Sequence, residues 1–203
     1  MSGIDPAEFE ALRREVRYLR DRQEILDLVN NYCRGLDRLD PDLVRAAFHP
    51  DAIDNHYDFV GGVDDFVPYA IEVESRLRGT HHGISTHLCE IDGDSAHAES
   101  YVHFFLRRGD GKTASCGAGR YIDRLERRDG RWRIVVRQIL MDAHFEADGS
   151  AWVRNEHLFH TGSRDGGDPS YQRPFNLPPE LLARATGGED AVRNWAPPEE
   201  AEK

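Results

Sequence analysis

Ten histidines and three cysteines carry the widest chemical range in this chain of 203 residues. Metal binding is the first chemistry they suggest. His81, His82 and His87 cluster, but their spacing lacks the i, i+4 pair that sets two imidazoles on one helix face, and no HExxH run is present. Cys33, Cys89 and Cys116 show no CxxC spacing, which argues against a zinc ribbon. Cys116, in the small-residue stretch ASCGAG, has no base tied to it and reads as packing. Ser85 and Ser115 lack the GxSxG context of a hydrolase nucleophile. The glycine-rich stretches contain neither GxGxxG nor GxxxxGK(S/T), the common phosphate cradles. No cofactor and no metal are therefore expected. Histidine remains suited to proton transfer, because a pKa near ~6.5 leaves the ring mostly neutral at pH 7.

The elements that must position such residues follow from periodicity. Phe9, Leu12, Val16 and Leu19 recur at helical spacing, as do Ile25, Val29, Tyr32 and Leu36. Asp21 and Glu24 resemble a capping box and predict a second helix beginning at Arg22. Asp40-Pro41 opens a short helix over Asp42 to Phe48, and His49-Pro50 closes it. Residues 52–60 predict one strand ended by Gly61-Gly62, followed by a helix from Val63 to Arg78. From Thr80 the period becomes two. Ile84 to Ile91 predicts a strand, and turns at Asp92-Gly93-Asp94, Gly109-Asp110-Gly111 and Arg128-Asp129-Gly130 link it to three long strands. In the first of these, His97, Tyr101, His103 and Phe105 share one face and Ala98, Val102 and Phe104 the other; the pattern alone leaves open which lines a pocket. This order predicts an α+β fold, with helices on one face of a curved antiparallel sheet. Residues 1–20 form a helical extension, 21–148 the domain, and 149–203 a loop-rich extension.

Composition removes several classes of partner. With 26 Lys+Arg against 37 Asp+Glu the formal charge is -11, which repels nucleic acid and anionic membranes. No apolar run reaches the ~18 residues of a membrane span. The first twenty residues carry no apolar signal core, so a cytoplasmic protein with free thiols is expected.

Three stretches, NNYCRGLDRLDPDLVRAAFHPDA, GTHHGISTHLCEIDGDSAHAES and YIDRLERRDGRWRIVVRQ, resemble the SnoaL-like family of the nuclear transport factor 2-like superfamily. Within it they resemble the branch of scytalone dehydratase, hexachlorocyclohexane dehydrochlorinase and bile-acid 7α-dehydratase. The resemblance spans roughly Gln23 to Phe145. It implies a cone-shaped fold enclosing a pocket, a cofactorless reaction run by a His-Asp pair, and a homotrimer. The helix-end Asp of the branch matches Asp37, its aromatic matches Tyr32, its His matches His82 and its strand Arg matches Arg137. Thr86 stands where the family has Asn in HxxxN. His81 is the alternative to His82, because a one-residue slip exchanges the two faces. His56 and Tyr57 fall on the first strand, where the dehydratases orient substrate, with only one able to point inward.

These roles have plain competitors. Asp37 at a helix end could cap, Tyr32 extends an apolar stripe, and regular alternation puts Arg137 on the face opposite Ile134. The resemblance implies His82 as general base, Asp37 as its orienter, and Tyr32 and Arg137 as proton donor and anion stabiliser. The expected function is a cofactor-independent lyase, by dehydratase-like elimination or retro-aldol-type cleavage, acting on a hydrophobic cyclic or aromatic small molecule. An isomerase or cyclase is the alternative enzyme, and a ligand-binding or oxygenase small-subunit-like module the non-catalytic one. Trp152, Phe159, Tyr171 and Phe175, in the extension, predict a lid or intersubunit strap.

Overall fold

The computed structural model describes residues 5–150, 161–179 and 182. The chain divides into two compact units, 1–153 and 154–203. Among the described residues the first holds three helices, α1 (Pro6–Arg38), α2 (Pro41–Ala46) and α3 (Val63–Ser75). It also holds six strands: β1 (Phe48–His56), β2 (Phe59–Gly62), β3 (Gly79–Asp92), β4 (Ser95–Arg107), β5 (Thr113–Arg128) and β6 (Arg131–Asp148).

The predicted pair of N-terminal helices is one helix of 33 residues. Asp5 caps it by accepting from the Ala7 amide at 3.0 Å, with Pro6 in the first turn. The pair that resembled a capping box is used elsewhere. Both Asp21 oxygens accept from Arg127 Nη1, at 2.9 and 2.8 Å, and Glu24 accepts from the Trp132 amide at 3.2 Å. With both carboxylates drawn to the sheet, nothing interrupts the helix. It ends where Leu39 turns into the left-handed region at φ 53°, and Asp40 caps α2 through the Leu43 amide at 3.0 Å.

The predicted strand over 52–60 is a hairpin instead. Tyr57 adopts φ 57°, so the chain reverses between His56 and Phe59 and β2 pairs back on β1. The sheet order is β2-β1-β6-β5-β4-β3. The expected antiparallel meander is present from β3 to β6, but β1 lies parallel to β6, so the sheet is mixed.

The sheet has several register shifts, including one that leaves Asp142 of β6 without a register partner, and two of them decide how the residues of the site face. One between Ile84 and Thr86 in β3 shifts the inward phase, so His82 and Ile84 give way to His87 and Cys89. The other lies in β6: the pairing slips between Arg124 and Leu125 of the facing strand, leaving Val135 the extra residue. Trp132, Ile134, Arg137 and Ile139 are consequently all buried. The core beneath the helices is aromatic. Tyr32 meets Phe48 and Tyr121 edge-on, each at 5.7 Å between centroids, and Phe48 meets Phe66 at 5.8 Å.

The second unit holds a 3-10 turn, Pro169–Tyr171. Asp168 is buried there and accepts from the Ser163 and Ser170 amides at 3.0 and 2.9 Å. Trp152 and Phe159, half of the aromatic set expected in a strap, lie outside the described residues.

Candidate active site

A cavity of about 450 Å³ opens between α1, α3 and the inner face of the sheet, a size suited to a small organic ligand. Its walls are mainly apolar, with Leu36, Phe66, Val102, Phe104, Tyr121 and Ile139 among them. Phe104 and Val102 come from the β4 face that also carries Ala98, and that face is the buried one. His97, Tyr101, His103 and Phe105 stand on the other face, directed away from the cavity.

At the cavity wall β3 brings His82 against the last turn of α1. Asp37 accepts from the His82 ring, Nδ1 to Oδ1 at 2.8 Å, and from the His82 backbone amide at 3.0 Å through Oδ2. The Thr80 hydroxyl donates to Oδ1 at 2.9 Å. Both side chains of the pair are about nine-tenths buried, at 9% and 10% exposure. Burial alone would raise the Asp37 carboxyl, but the hydrogen bonds and charge of His82, with Thr80, outweigh it and hold the carboxyl below its ordinary value. Asp37 is therefore an ionised acceptor, which places the proton of a neutral His82 ring on Nδ1 and the lone pair on Nε2. His82 is also part of the cavity lining. His81 is exposed.

Gly35 allows this corner to form. A Cβ there would lie 2.7 Å from the Val44 side chain and 2.9 Å from the Val44 amide nitrogen, so only glycine lets α2 cross α1 this closely, two residues before Asp37.

Tyr32 lines the cavity from α1 and is completely buried. Its hydroxyl has no hydrogen-bond partner among the described residues. Burial pushes the phenol well up, Arg137 opposes this, and Asp54 adds to it. Arg137 itself does not line the cavity. It is fully buried below Tyr32, where Nε and Nη2 each donate to Asp123 at 2.7 Å. Its guanidinium lies 4.2 Å from the Tyr32 ring and 4.3 Å from the Tyr121 ring, within cation–π range. Asp54 of β1 faces Arg137 across the parallel pair and Asp123 faces it across the antiparallel one. Asp123 is the ion-pair partner of the guanidinium, whereas both Asp54 oxygens are buried without a hydrogen-bond partner among the described residues.

His56 and Tyr57 both reach the cavity. Strict alternation allowed only one, but Tyr57 has left the strand for the left-handed turn. The His56 ring lies 3.3 Å from the Asp54 carboxylate, in ion-pair range without hydrogen-bond alignment. Thr86, at the position of the family Asn, is exposed. Sequence reasoning missed Thr80, Asp123, Glu74, Ser115 and His144, of which the last three line the cavity. Thr80 was accessible to it, since a residue two before His82 shares its face of a strand. Among the described residues no three His, Cys, Asp or Glu side chains converge to hold a metal ion, and no helix is long and apolar enough to cross a membrane.

A helical layer over a mixed sheet, enclosing a cavity with a His-Asp pair at its wall, defines a nuclear transport factor 2-like fold. The chain belongs to the SnoaL-like domain family, whose model matches residues 17–138. No curated protein matches the chain in sequence. Solved structures share the fold. The hexachlorocyclohexane dehydrochlorinase LinA-type3 from Novosphingobium barchaimii is 20% identical, with 66% of this chain and 95% of that one covered at a TM-score of 0.59. A candidate scytalone dehydratase from Novosphingobium aromaticivorans is 20% identical over 73% of this chain and 93% of its own, at 0.58. Rv3472 from Mycobacterium tuberculosis, of unknown function, is 25% identical over 70% and 78%, at 0.54.

Proposed function

We propose that the protein is a cofactor-independent lyase that eliminates a small group, or cleaves a carbon–carbon bond by a retro-aldol route, on a hydrophobic cyclic or aromatic small molecule. The observation that carries this reading is the His82 ring held by Asp37 at 2.8 Å at the wall of an apolar cavity. A base of this kind takes the proton next to the departing group through Nε2. Asp37 fixes the tautomer and stabilises the imidazolium that forms, which is the orienting role of a triad carboxylate without a nucleophile. Tyr32 presents a hydroxyl free of protein partners to the leaving group. Arg137 acts through Tyr32 as a positioning residue, its positive charge favouring loss of the phenolic proton. The dehydratase and dehydrochlorinase named among the structural neighbours support elimination as the reaction class.

The test offers cyclic alcohols, aromatic diols, hydroxysteroids and chlorinated rings without cofactor and follows product mass. Loss of a small neutral molecule is expected, with His82→Ala and Asp37→Asn each lowering the rate by about 10²–10⁴. Unchanged mass would assign the isomerase reading, and full activity in both variants would remove His82 as the base.

A further inference from the structure

One stripe of α1 serves neither the site nor the core. Phe9, Leu12, Val16 and Leu19 are 48%, 53%, 51% and 64% exposed. From Asp5 to Arg20 every residue except Ala11 is exposed, and the helix first joins the core at Asp21. A free helix of about 15 residues is marginal in water, and an apolar stripe along it calls for a partner. The spacing of the four residues is 3-4-3, which makes them the a and d positions of consecutive heptads. We propose that this segment forms a parallel two-stranded coiled coil with the same segment of a second copy of the chain.

Charge selects both occupant and direction. With Phe9 and Val16 at a and Leu12 and Leu19 at d, Glu8 and Glu15 occupy g, while Arg13 and Arg20 occupy e. In a parallel pair each g residue meets the e residue five positions further along the other helix, and these contacts set partner choice. Glu8 of one copy then meets Arg13 of the other, and Glu15 meets Arg20. Every such contact is attractive. An antiparallel pair would set glutamate against glutamate and arginine against arginine. Val16 at a with leucine at d favours two strands. Arg13 is bonded to Glu10 of its own helix at 3.1 Å, but an exposed pair of this kind holds little energy and is readily exchanged. Two heptads are short for a free peptide; here the helix continues from Pro6 to Arg38, so its packed half has already met the cost of nucleation.

Sedimentation of the full chain tests the pairing. Leu12→Glu with Leu19→Glu places carboxylates in the seam and is expected to halve the mass, with the near-UV spectrum of the core retained because both positions lie outside it. An unchanged mass overturns the proposal, whether the stripe is bare or covered by another part of the same chain. Two charge-reversed chains test the charge contacts between the helices. Glu8→Lys with Glu15→Lys, and separately Arg13→Glu with Arg20→Glu, are each expected to give the half-mass form alone. Mixed in equal amounts they are expected to recover the full mass, and failure to recombine overturns the charge-selected pairing.

Discussion

Arg137→Met is the substitution from which the structure yields the sharpest number. Methionine keeps an unbranched chain against Tyr32 and Tyr121 and deletes the charge. In the native row the guanidinium is ion-paired with Asp123, Asp54 is its register partner on β1, and all three side chains are inaccessible to solvent. Deleting one partner of a buried pair costs about 3–5 kcal/mol, and here Asp123 loses its ion pair while Asp54 loses a nearby positive charge, so about 4–5 kcal/mol is expected. Asp123→Asn differs in kind. It leaves Asp54 beside the guanidinium and an amide oxygen that still accepts one N–H, so the loss is about 1–3 kcal/mol. At about 2–4 °C per kcal/mol for a chain of this size, Tm falls by about 8–20 °C in the first variant and about 2–12 °C in the second. Thermal and urea unfolding measure both. Adding Asp54→Asn to Arg137→Met is expected to recover part of the loss. If Asp123→Asn is as damaging as Arg137→Met, or Asp54→Asn recovers nothing, the row does not act as one electrostatically coupled unit.

Folding holds the Asp37 carboxyl below its ordinary 3.8, so its stabilisation is present above that pH and drains away as pH falls through the lower native value. The stability gap between wild type and Asp37→Asn, from urea midpoints, is expected to narrow below about pH 4; a gap constant to strong acid would contradict the pairing. Gly35→Ala forces a methyl onto Val44 and is expected to cost about 1–3 kcal/mol by overpacking, more than the ~1 kcal/mol gained in helix propensity, with a fall in activity because Asp37 shifts with the helix end. Tyr32→Phe removes a buried hydroxyl that has no protein partner, so Tm is expected to hold or rise while turnover drops by about 10²-fold or more; unchanged turnover would place Tyr32 in the core alone.

The residues that carry the local periods announced their elements: the helical stripe from Ile25 to Leu36, and the alternation with glycine turns from Thr80 onward. The parts that stayed hidden are those where tertiary contact or a bulge overrules the local rule. Asp21 and Glu24 have the form of a helix start, and only the distant Arg127 and Trp132 turn them into sheet contacts. In a regular hairpin about Asp129-Gly130, Asp123 would face Val136, and Arg137 would lie outward beside Val135. The extra residue at Val135 in β6 moves Arg137 onto Asp123 and into the core. Likewise the turn at Tyr57 converts one expected strand into two and admits both His56 and Tyr57 to the cavity. The His82 and Asp37 contact was legible because the resemblance supplied a pairing across distant segments; periodicity could not.

The strand order has a consequence for how the molecule is made. Among the described residues β6 is the last strand in sequence, yet it lies between β1 and β5. Until it enters, no sheet joins β1 to the meander, and the carboxylates of Asp54 and Asp123 border an open slot with no cation between them. The hairpins of β3, β4 and β5 can form early from near neighbours, whereas the pairing of β1 with β6 closes one of the longest loops in the chain and comes late. The strand that joins β1 to the meander is also the one that brings Arg137 to Asp123.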